Sequence, residues 1–238
     1  MSEKAALTPF FDALETRSPE AREAQLMAAL PEHVAHAKQH APGFAKILAG
    51  VEPRSVNSRA ALAKLPVTRK SDLGELQKRT PPLGGLNATP VEKLAKVFVS
   101  PGPLYEPEGQ GANWWRTARG LFAGGFRAGD LIANTFAYHF TPAGSMLESG
   151  AMALGCTVVP TGVGQTEMQV ATLRDLRIGG FIGTPSFLKL IVEKADELKT
   201  DLSALKKAHV GAEYLPPALR KAMGERGIRV TQSYATAD

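Results

Sequence analysis

The sequence predicts an α/β fold in which a mostly parallel sheet is flanked by helices and preceded by a helical N-terminal section. From residue 112 onward, short runs of β-forming residues alternate with helical stretches of about 10–15 residues, which is typical of βαβ units. Residues 1–80 instead carry helix-start signals and apolar residues at helical spacing. The chain has 238 residues, of which 44% are hydrophobic and 21% charged, so it can bury a sizeable core and is not intrinsically disordered.

The first section, residues 1–80, is predicted to be helical. Ser18 followed by Pro19 is a helix-start signal, because Ser caps a helix and Pro is tolerated at its first position. An apolar stripe follows, but Pro31 interrupts it, so we expect two helices that meet near Leu30. Further helices are expected to start at Ser55 or Ser58 and at Thr68 or Ser71.

The second section, residues 81–238, is predicted to be an α/β subdomain that is incomplete at its C-terminal end. Ten of the thirty residues 81–110 are Gly or Pro, which indicates loop with one short strand at 95–99. Five strands are expected at 131–135, 157–160, 181–184, 208–211 and 228–233. Helices are expected near 112–126, where Trp114 and Trp115 would open the helix, and near 144–154, 166–176, 186–198 and 216–226.

Composition excludes several functional classes. The net charge of +5 is spread over the chain, and no basic block predicts binding to nucleic acid. No segment approaches the ~18 uninterrupted apolar residues of a membrane span, and the N-terminus lacks the apolar region of a signal peptide. A single cysteine, Cys156, excludes an internal disulfide framework and suits a reducing compartment, so we expect a cytoplasmic protein. His33, His36 and His40 share a helical spacing that is compatible with zinc, although a solvated helix face is the favoured interpretation.

Ligands of parallel sheets bind in the loops that follow the carboxyl ends of the strands. Four such loops were therefore singled out, at residues 100–109, 136–144, 211–213 and 232–238. Within and beside them, the segments 11–16, 65–73, 183–186, 211–213 and 234–238 follow one another in an order and spacing that resembles the N-terminal half of the phenylacetate–CoA ligases. These are AMP-forming acyl-CoA synthetases of the adenylate-forming superfamily, and the resemblance runs nearly end to end.

The resemblance implies a two-step reaction. A small aryl or arylacetic acid attacks the α-phosphate of Mg-ATP, giving an acyl-adenylate and pyrophosphate, and the CoA thiol then displaces AMP. ATP, magnesium, CoA and a carboxylic acid are thus the expected cofactors and partners, and a homodimer is the expected assembly. The fold implied is part of the large N-terminal domain of these enzymes.

The resemblance also assigns residues, and it places no catalytic side chain in this stretch. It implies nucleotide binding by Gly211, Ala212, Glu213, Ser233, Tyr234 and Ala235, with the Tyr234 ring on adenine. It implies an acyl pocket formed by Tyr138, Phe140, Gly144, Thr184 and Pro185. Asp238 matches the acidic ligand of magnesium, an ion that prefers oxygen donors. Each of these residues also has a purely structural interpretation, as a strand-end turn, a packing aromatic or a chain terminus.

The phosphate loop departs from the family pattern "SSGTTGKP". Ser100, Gly102 and Pro107 are retained, but both Thr hydroxyls are lost and Glu106 stands in place of the Lys. Proline has no N–H to donate, and an anion close to a polyphosphate is unfavourable. A second hypothesis therefore stays open, namely a non-catalytic relative that binds an acyl or adenylate ligand or acts as a subunit. The family's ribose-binding Asp, hinge and C-terminal domain lie beyond the segment matching Asp238, so the 238-residue chain alone is not expected to complete thioester formation.

Overall fold

A computed structural model of the chain describes residues 9–100 and 102–235. The chain divides into two compact units, Met1–Gln110 and Gly111–Ala237. The boundary that the sequence predicts after residue 80 marks a change of composition, and it stays a prediction. None of the described helices is both long and apolar enough to cross a membrane.

The first unit contains helices followed by a two-stranded hairpin. Its helices are α1 (Pro19–His40), α2 (Pro42–Ile47), α3 (Arg59–Leu62) and α4 (Lys70–Arg79), with 3-10 turns at Ala13–Thr16, Pro53–Ser55 and Val91–Lys93. Strands β1 (Lys96–Ser100) and β2 (Leu104–Glu108) pair antiparallel, with Ser100 opposite Leu104.

Helix α1 begins where the sequence indicates but does not break at its proline. The Ser18 hydroxyl caps the helix by accepting a hydrogen bond from the Ala21 amide at 3.1 Å. The predicted division near Leu30 is wrong, because α1 continues through Pro31. Proline removes one helical hydrogen bond, at a cost of about 3 kcal/mol. Tertiary packing of the following turn offsets this cost, since Val34 is buried in a small apolar cluster.

The hairpin corrects the prediction of a single short strand between residues 81 and 110. Strand β2 follows β1 directly, although it contains Pro107. Proline is tolerated here because a strand of a two-stranded ladder is an edge strand. The far end of the hairpin is held by an ion pair between Lys96 and the buried carboxylate of Glu108, at 3.1 Å.

The second unit is a doubly wound parallel sheet. In chain order its elements are α5 (Ala118–Ala123), β3 (Leu131–Asn134), α6 (Ala143–Ala153), β4 (Thr157–Val159), α7 (Thr166–Asp175), β5 (Gly180–Gly183), α8 (Pro185–Glu197), β6 (Lys207–Val210), α9 (Pro217–Glu225) and β7 (Arg229–Gln232). The order across the sheet is β4-β3-β5-β6-β7, and every pairing is parallel. The five predicted strands are thus confirmed, whereas Trp114 and Trp115 lie in a turn before α5 rather than at the start of a helix.

Alternate residues of the strands build two separate cores. Ala133 and Phe181 face the layer of α7, α8 and α9, while their neighbours Ile132 and Ile182 face α5 and α6. All four side chains are fully buried. This two-sided burial explains why β3 and β5, in the middle of the sheet, are almost entirely apolar, as buried strands of parallel sheets are.

The strand order identifies a candidate ligand-binding edge of the sheet. The chain runs outward from β3 to β4 and then returns past β3 to β5, so the direction of winding reverses between β3 and β5. In open α/β sheets the crevice at such a reversal, outside the carboxyl ends of the strands, is where ligands bind. The loops after β3, β5, β6 and β7 all leave this edge.

Candidate functional site

Three of the sequence-predicted segments meet at the carboxyl edge of the sheet. They follow β5, β6 and β7, which are neighbours in the sheet. The Gly211 amide donates to the Gly183 carbonyl at 3.1 Å, and the Ser233 amide donates to the Val210 carbonyl at 3.1 Å. The end of each strand is therefore tied to the strand beside it, and the loops start from fixed positions.

Glu213 joins these loops to one another. Its carboxylate accepts hydrogen bonds from the Ser186 amide at 3.2 Å and the Ser186 hydroxyl at 2.9 Å, while its carbonyl accepts from the Gln232 side chain at 2.7 Å. Ser186 lies in the first turn of α8, whose cap Thr184 accepts from the Phe187 amide. A carboxylate is favoured at a helix N-terminus, where backbone N–H groups point outward. Glu213 thus positions the loops through its side chain as well as its backbone.

The turn after β6 is held in an unusual conformation. Ala212 has φ +64°, in the left-handed region that residues with a Cβ seldom adopt. Such conformations cost on the order of 1 kcal/mol and cluster at ligand sites. Next to it, a Cβ on Gly211 would lie 3.5 Å from the Ser233 carbonyl oxygen, so the two loops are already in close contact.

Tyr234 projects from the edge of the sheet. Its side chain is 90% exposed, and the flanking Ser233 and Ala235 are exposed as well. The ring therefore contributes nothing to the core of the unit. An aromatic face left open to solvent at a ligand-binding edge is suited to stack on a planar ring.

The loop after β3 is organised by a buried amide. The Asn134 side chain donates to the Tyr138 hydroxyl at 2.9 Å and to the Gly144 carbonyl at 2.8 Å. The Tyr138 hydroxyl in turn donates to Glu148 at 3.4 Å, and burial together with that carboxylate raises the pKa of Tyr138. Tyr138 is therefore a fixed, protonated and half-buried group, whereas Phe140 is 78% exposed with φ +59°.

Replacing Gly144 by Ala is expected to destabilise the protein by about 2 kcal/mol. A Cβ at this position would lie 2.6 Å from the Ala137 carbonyl oxygen, a backbone atom that cannot move without shifting the loop. Chemical denaturation measures the loss. Gly224→Ala is the matched control, because a Cβ in this part of α9 meets nothing within 4 Å and gains up to about 1 kcal/mol of helix propensity. Equal stabilities of the two variants would contradict the prediction.

The predicted phosphate loop is the turn of the β1–β2 hairpin in the first unit. Ser100 is buried and its hydroxyl donates to the Leu104 carbonyl at 3.4 Å, while Gly102 and Pro103 are exposed. One carboxylate oxygen of Glu106 is buried and has no hydrogen-bond partner among the described residues. The cation of the hairpin, Lys96, is bonded to Glu108. As it stands, the hairpin presents negative rather than positive charge.

The magnesium ligand predicted from the resemblance, Asp238, lies outside the described residues. Within residues 9–100 and 102–235, no group of three or more His, Cys, Asp or Glu side chains could hold a metal ion. Of the histidines on α1, the rings of His36 and His40 lie 4.7 Å apart.

One polar cluster at this edge was not singled out from the sequence. His209, on β6, is only 5% exposed, and its ring nitrogens lie 3.0 Å from the Thr231 hydroxyl and 3.1 Å from the Ser233 hydroxyl. Burial lowers the pKa of His209 to about 4, so the imidazole is neutral. The available signal was a histidine within the apolar run Ala208–Val210, opposite a strand with Thr231 and Ser233 at alternate positions.

Comparison with known proteins assigns the family. The AMP-binding enzyme family matches residues 111–238, which is more than half of the chain. The chain belongs to the AMP-binding enzyme family. The matched region begins where the second compact unit begins, so it covers the parallel sheet and its carboxyl-edge loops.

Curated AMP-binding relatives extend the match over the first unit. The chain is 33% identical over 237 residues to the phenylacetate-coenzyme A ligase of Aromatoleum evansii, covering 94% of this chain and 53% of that protein. It is 32% identical to the phenylacetate-coenzyme A ligase of Thermus thermophilus, covering 94% of this chain and 52% of that protein. The chain thus spans about half the length of the curated relatives it matches.

Among solved AMP-binding structures, 2-hydroxyisobutyryl-CoA ligase has a similar fold. Its open conformation, in complex with 2-HIB-AMP and CoA, matches with a TM-score of 0.89 and 24% identity. The match covers 97% of this chain and 57% of that one. At this identity the likeness establishes the fold, and it confirms the predicted α/β architecture.

Proposed function

We propose that this chain forms the N-terminal part of an AMP-forming acyl-CoA ligase that acts on an aryl or arylacetic acid. The observation that carries the proposal is the convergence of Thr184, Gly211–Glu213 and Ser233–Ala235 at one carboxyl edge, tied together by Glu213. The similarity to phenylacetate-coenzyme A ligases over 94% of the chain supports it. The substrates would be the acid, ATP with magnesium, and CoA.

The proposed chemistry needs positioning more than proton transfer. A carboxylic acid with a pKa near 4 is already ionised at pH 7, so its attack on the α-phosphate requires no general base. The acid would lie against Tyr138 and Phe140, and adenine against the face of Tyr234 and the Gly211–Glu213 backbone. Bringing the carboxylate and phosphate together in line contributes most of the acceleration. Asp238 would ligate the magnesium of the ATP complex.

The altered phosphate loop favours a second candidate function. With Pro103 and Glu106 in place of Thr and Lys, the β1–β2 turn offers fewer donors and the wrong charge to a polyphosphate. A non-catalytic relative that binds an acyl or adenylate ligand, or that serves as a subunit, would tolerate these changes. The unpartnered carboxylate oxygen of Glu106 is the observation that supports this candidate.

Pyrophosphate release separates the two candidates. The full-length protein that contains this chain is incubated with ATP, magnesium and a series of aryl and arylacetic acids, and its affinity for a non-hydrolysable acyl-adenylate analogue is measured in parallel. Acid-dependent release supports the ligase. Tight binding of the analogue without release supports the non-catalytic relative, and failure of both would overturn the proposal.

Removal of the Tyr234 ring is expected to weaken binding of the acyl-adenylate analogue by about 5- to 150-fold. Stacking of a base on an aromatic side chain is worth about 1–3 kcal/mol, and the exposed ring has no packing role to confuse the result. Calorimetric titration of Tyr234→Ala measures the loss. Tyr234→Phe keeps the ring face and should bind like the parent chain, so an equal loss in both variants would argue against stacking.

The assembly proposed is a homodimer, and it rests on the resemblance to the phenylacetate–CoA ligases. Light scattering of the purified protein tests it. A mass near twice 25.3 kDa is expected for the 238-residue chain, and a mass near 25.3 kDa would refute the dimer for this stretch.

A further inference from the structure

Three side chains, one on β6, one on β7 and one directly after β7, form a continuous series of hydrogen bonds. The Ser233 hydroxyl lies 3.1 Å from Nε2 of His209, and Nδ1 of the same ring lies 3.0 Å from the Thr231 hydroxyl. The Thr231 hydroxyl donates to the Ala208 carbonyl at 3.3 Å. This series of hydrogen bonds therefore runs from the carboxyl edge of the sheet into its interior and ends on a backbone carbonyl.

The carbonyl at the end of this hydrogen-bond series determines which atom carries each proton. A backbone carbonyl only accepts, so the Thr231 proton is committed to Ala208 and the Thr231 oxygen accepts from Nδ1–H of His209. Since burial keeps the ring neutral, Nε2 carries a lone pair. Nε2 then accepts from the Ser233 hydroxyl. Ser233 is thus hydrogen-bonded to an unprotonated base that is oriented by a third group.

Packing holds the base in place and leaves the hydroxyl open. His209 is buried beneath α5, where a Cβ on Gly120 would approach Nε2 to 4.0 Å and a Cβ on Gly124 would lie 2.9 Å from the Thr231 hydroxyl oxygen. Ser233, by contrast, is exposed at the carboxyl edge beside Gly211. A serine at a ligand-binding edge, within hydrogen-bond reach of an oriented base, has the geometry of an activated nucleophile.

We propose that Ser233 is a nucleophile, with His209 as its general base, and that it accepts acyl groups from activated acyl esters. The Ser233 oxygen attacks the ester carbonyl carbon while its proton passes to Nε2 of His209. The new carbon–oxygen bond forms, the bond to the leaving group breaks, and His209 returns the proton to the leaving group. Water then hydrolyses the acyl-serine with the same base, giving the carboxylate and free Ser233. Thr231 acts as a positioning residue for the ring.

This activity does not depend on the proposed ligase function. Adenylation of a carboxylate uses no serine nucleophile, and the acyl donor here is any ester with a good leaving group. Ester hydrolysis without ATP tests the serine alone, so the two proposals fail independently.

The test uses the 238-residue chain, a fluorophosphonate probe and p-nitrophenyl acetate, without ATP. We expect one covalent phosphonate adduct, located on Ser233 by peptide mass mapping, and a matching hydrolysis of the ester. Ser233→Ala should abolish both. His209→Gln should lower the labelling rate by about 100-fold or more with the serine still present, the range typical of a general base. Thr231→Val should lower it by about tenfold, because the ring loses its orienting partner.

Ser203→Ala is the matched control. Ser203 is an exposed loop serine whose hydroxyl is bonded to Asp201 and not to a histidine. Labelling and hydrolysis should be unchanged in this variant. An adduct on Ser233 that forms no faster than one on Ser203 would overturn the proposal. So would equal labelling of the parent chain and of Thr231→Val, a variant that keeps His209 and tests its orientation even where His209→Gln does not fold.

Discussion

Replacing Glu106 by Lys is expected to tighten binding of ATP by about 100-fold. The resemblance to the phenylacetate–CoA ligases assigns this turn to the phosphate loop, and the chain has a carboxylate where the family has an ammonium group. At an effective dielectric constant of about 20, one charge step within 10 Å of a phosphate is worth ~1–2 kcal/mol. Glu106→Gln removes one negative charge and should raise the affinity for ATP by about tenfold. Glu106→Lys also adds a positive charge and should raise the affinity by about a further tenfold.

The local structure makes this substitution a sensitive test of how the charge at position 106 affects the affinity for ATP. A carboxylate oxygen of Glu106 has no hydrogen-bond partner among the described residues, so its removal breaks no recorded hydrogen bond. The hairpin keeps its own ion pair between Lys96 and Glu108. The change in affinity should therefore report the charge of this side chain rather than the loss of a hydrogen bond.

Calorimetric titration with ATP measures the series, with Glu92→Lys as the control. Glu92 is exposed in the turn Val91–Lys93, and its replacement makes the same change of net charge outside the hairpin. The control should change the affinity by less than about twofold at 0.15 M salt, where exposed charges are screened. Equal effects of the two Lys variants would mean that net charge alone acts. No effect of Glu106→Lys would favour the non-catalytic relative.

Lowering the pH from 6.5 to 4 is expected to remove about 3 kcal/mol of stability through His209 alone. Burial lowers the pKa of this histidine from 6.5 to about 4 in the folded chain. Between these values the unfolded chain binds a proton that the folded chain does not. Stability is therefore fully present above pH 6.5 and is lost as the pH falls toward 4. A shift of 2.5 units corresponds to roughly 3 kcal/mol, at about 1.4 kcal/mol per unit.

Denaturant unfolding at a series of pH values isolates this contribution. Carboxylates add their own pH dependence, so the informative quantity is the difference between the parent chain and His209→Gln. That difference should shrink by about 3 kcal/mol between pH 6.5 and pH 4. His139→Asn is the control, because His139 is exposed in the loop after β3 and its variant should follow the parent chain. Parallel curves for the parent chain and His209→Gln would refute the prediction.

The order of the secondary structure elements in the second unit could be predicted because its signals are local. Thr157–Val159 and Gly180–Gly183 are short runs between glycines and helical stretches, and the sequence places both strands to within a residue. The errors arose where tertiary contacts outweigh local preference. Pro31 does not break α1, because the next turn is packed into an apolar cluster. Pro107 does not prevent β2, because antiparallel pairing with β1 holds it.

The sequence predicts which loops form the candidate site, but it does not predict the hydrogen bonds that join them. The loops after the strands follow from the rule for parallel sheets, and the segments at 183–186 and 211–213 identify two of them. The bonds from Glu213 to Ser186 join residues 27 positions apart, and those from His209 join residues 22 and 24 positions apart. No periodicity or motif encodes such partners, because they depend on which strands become neighbours.

The sequence by itself predicted the fold class, the edge at which we propose that ligands bind and the resemblance to acyl-CoA ligases. These depend on hydrophobic alternation, glycine and proline placement and short motifs, all of which act within a few residues. Only the tertiary structure decided that β6 lies between β5 and β7, that His209 is buried and neutral, and that Ser233 is bonded to it. The physical reason is that burial and hydrogen-bond partners are set by packing between distant segments. The same histidine in an exposed strand would have a pKa near 6.5 and would lack these fixed hydrogen-bond partners.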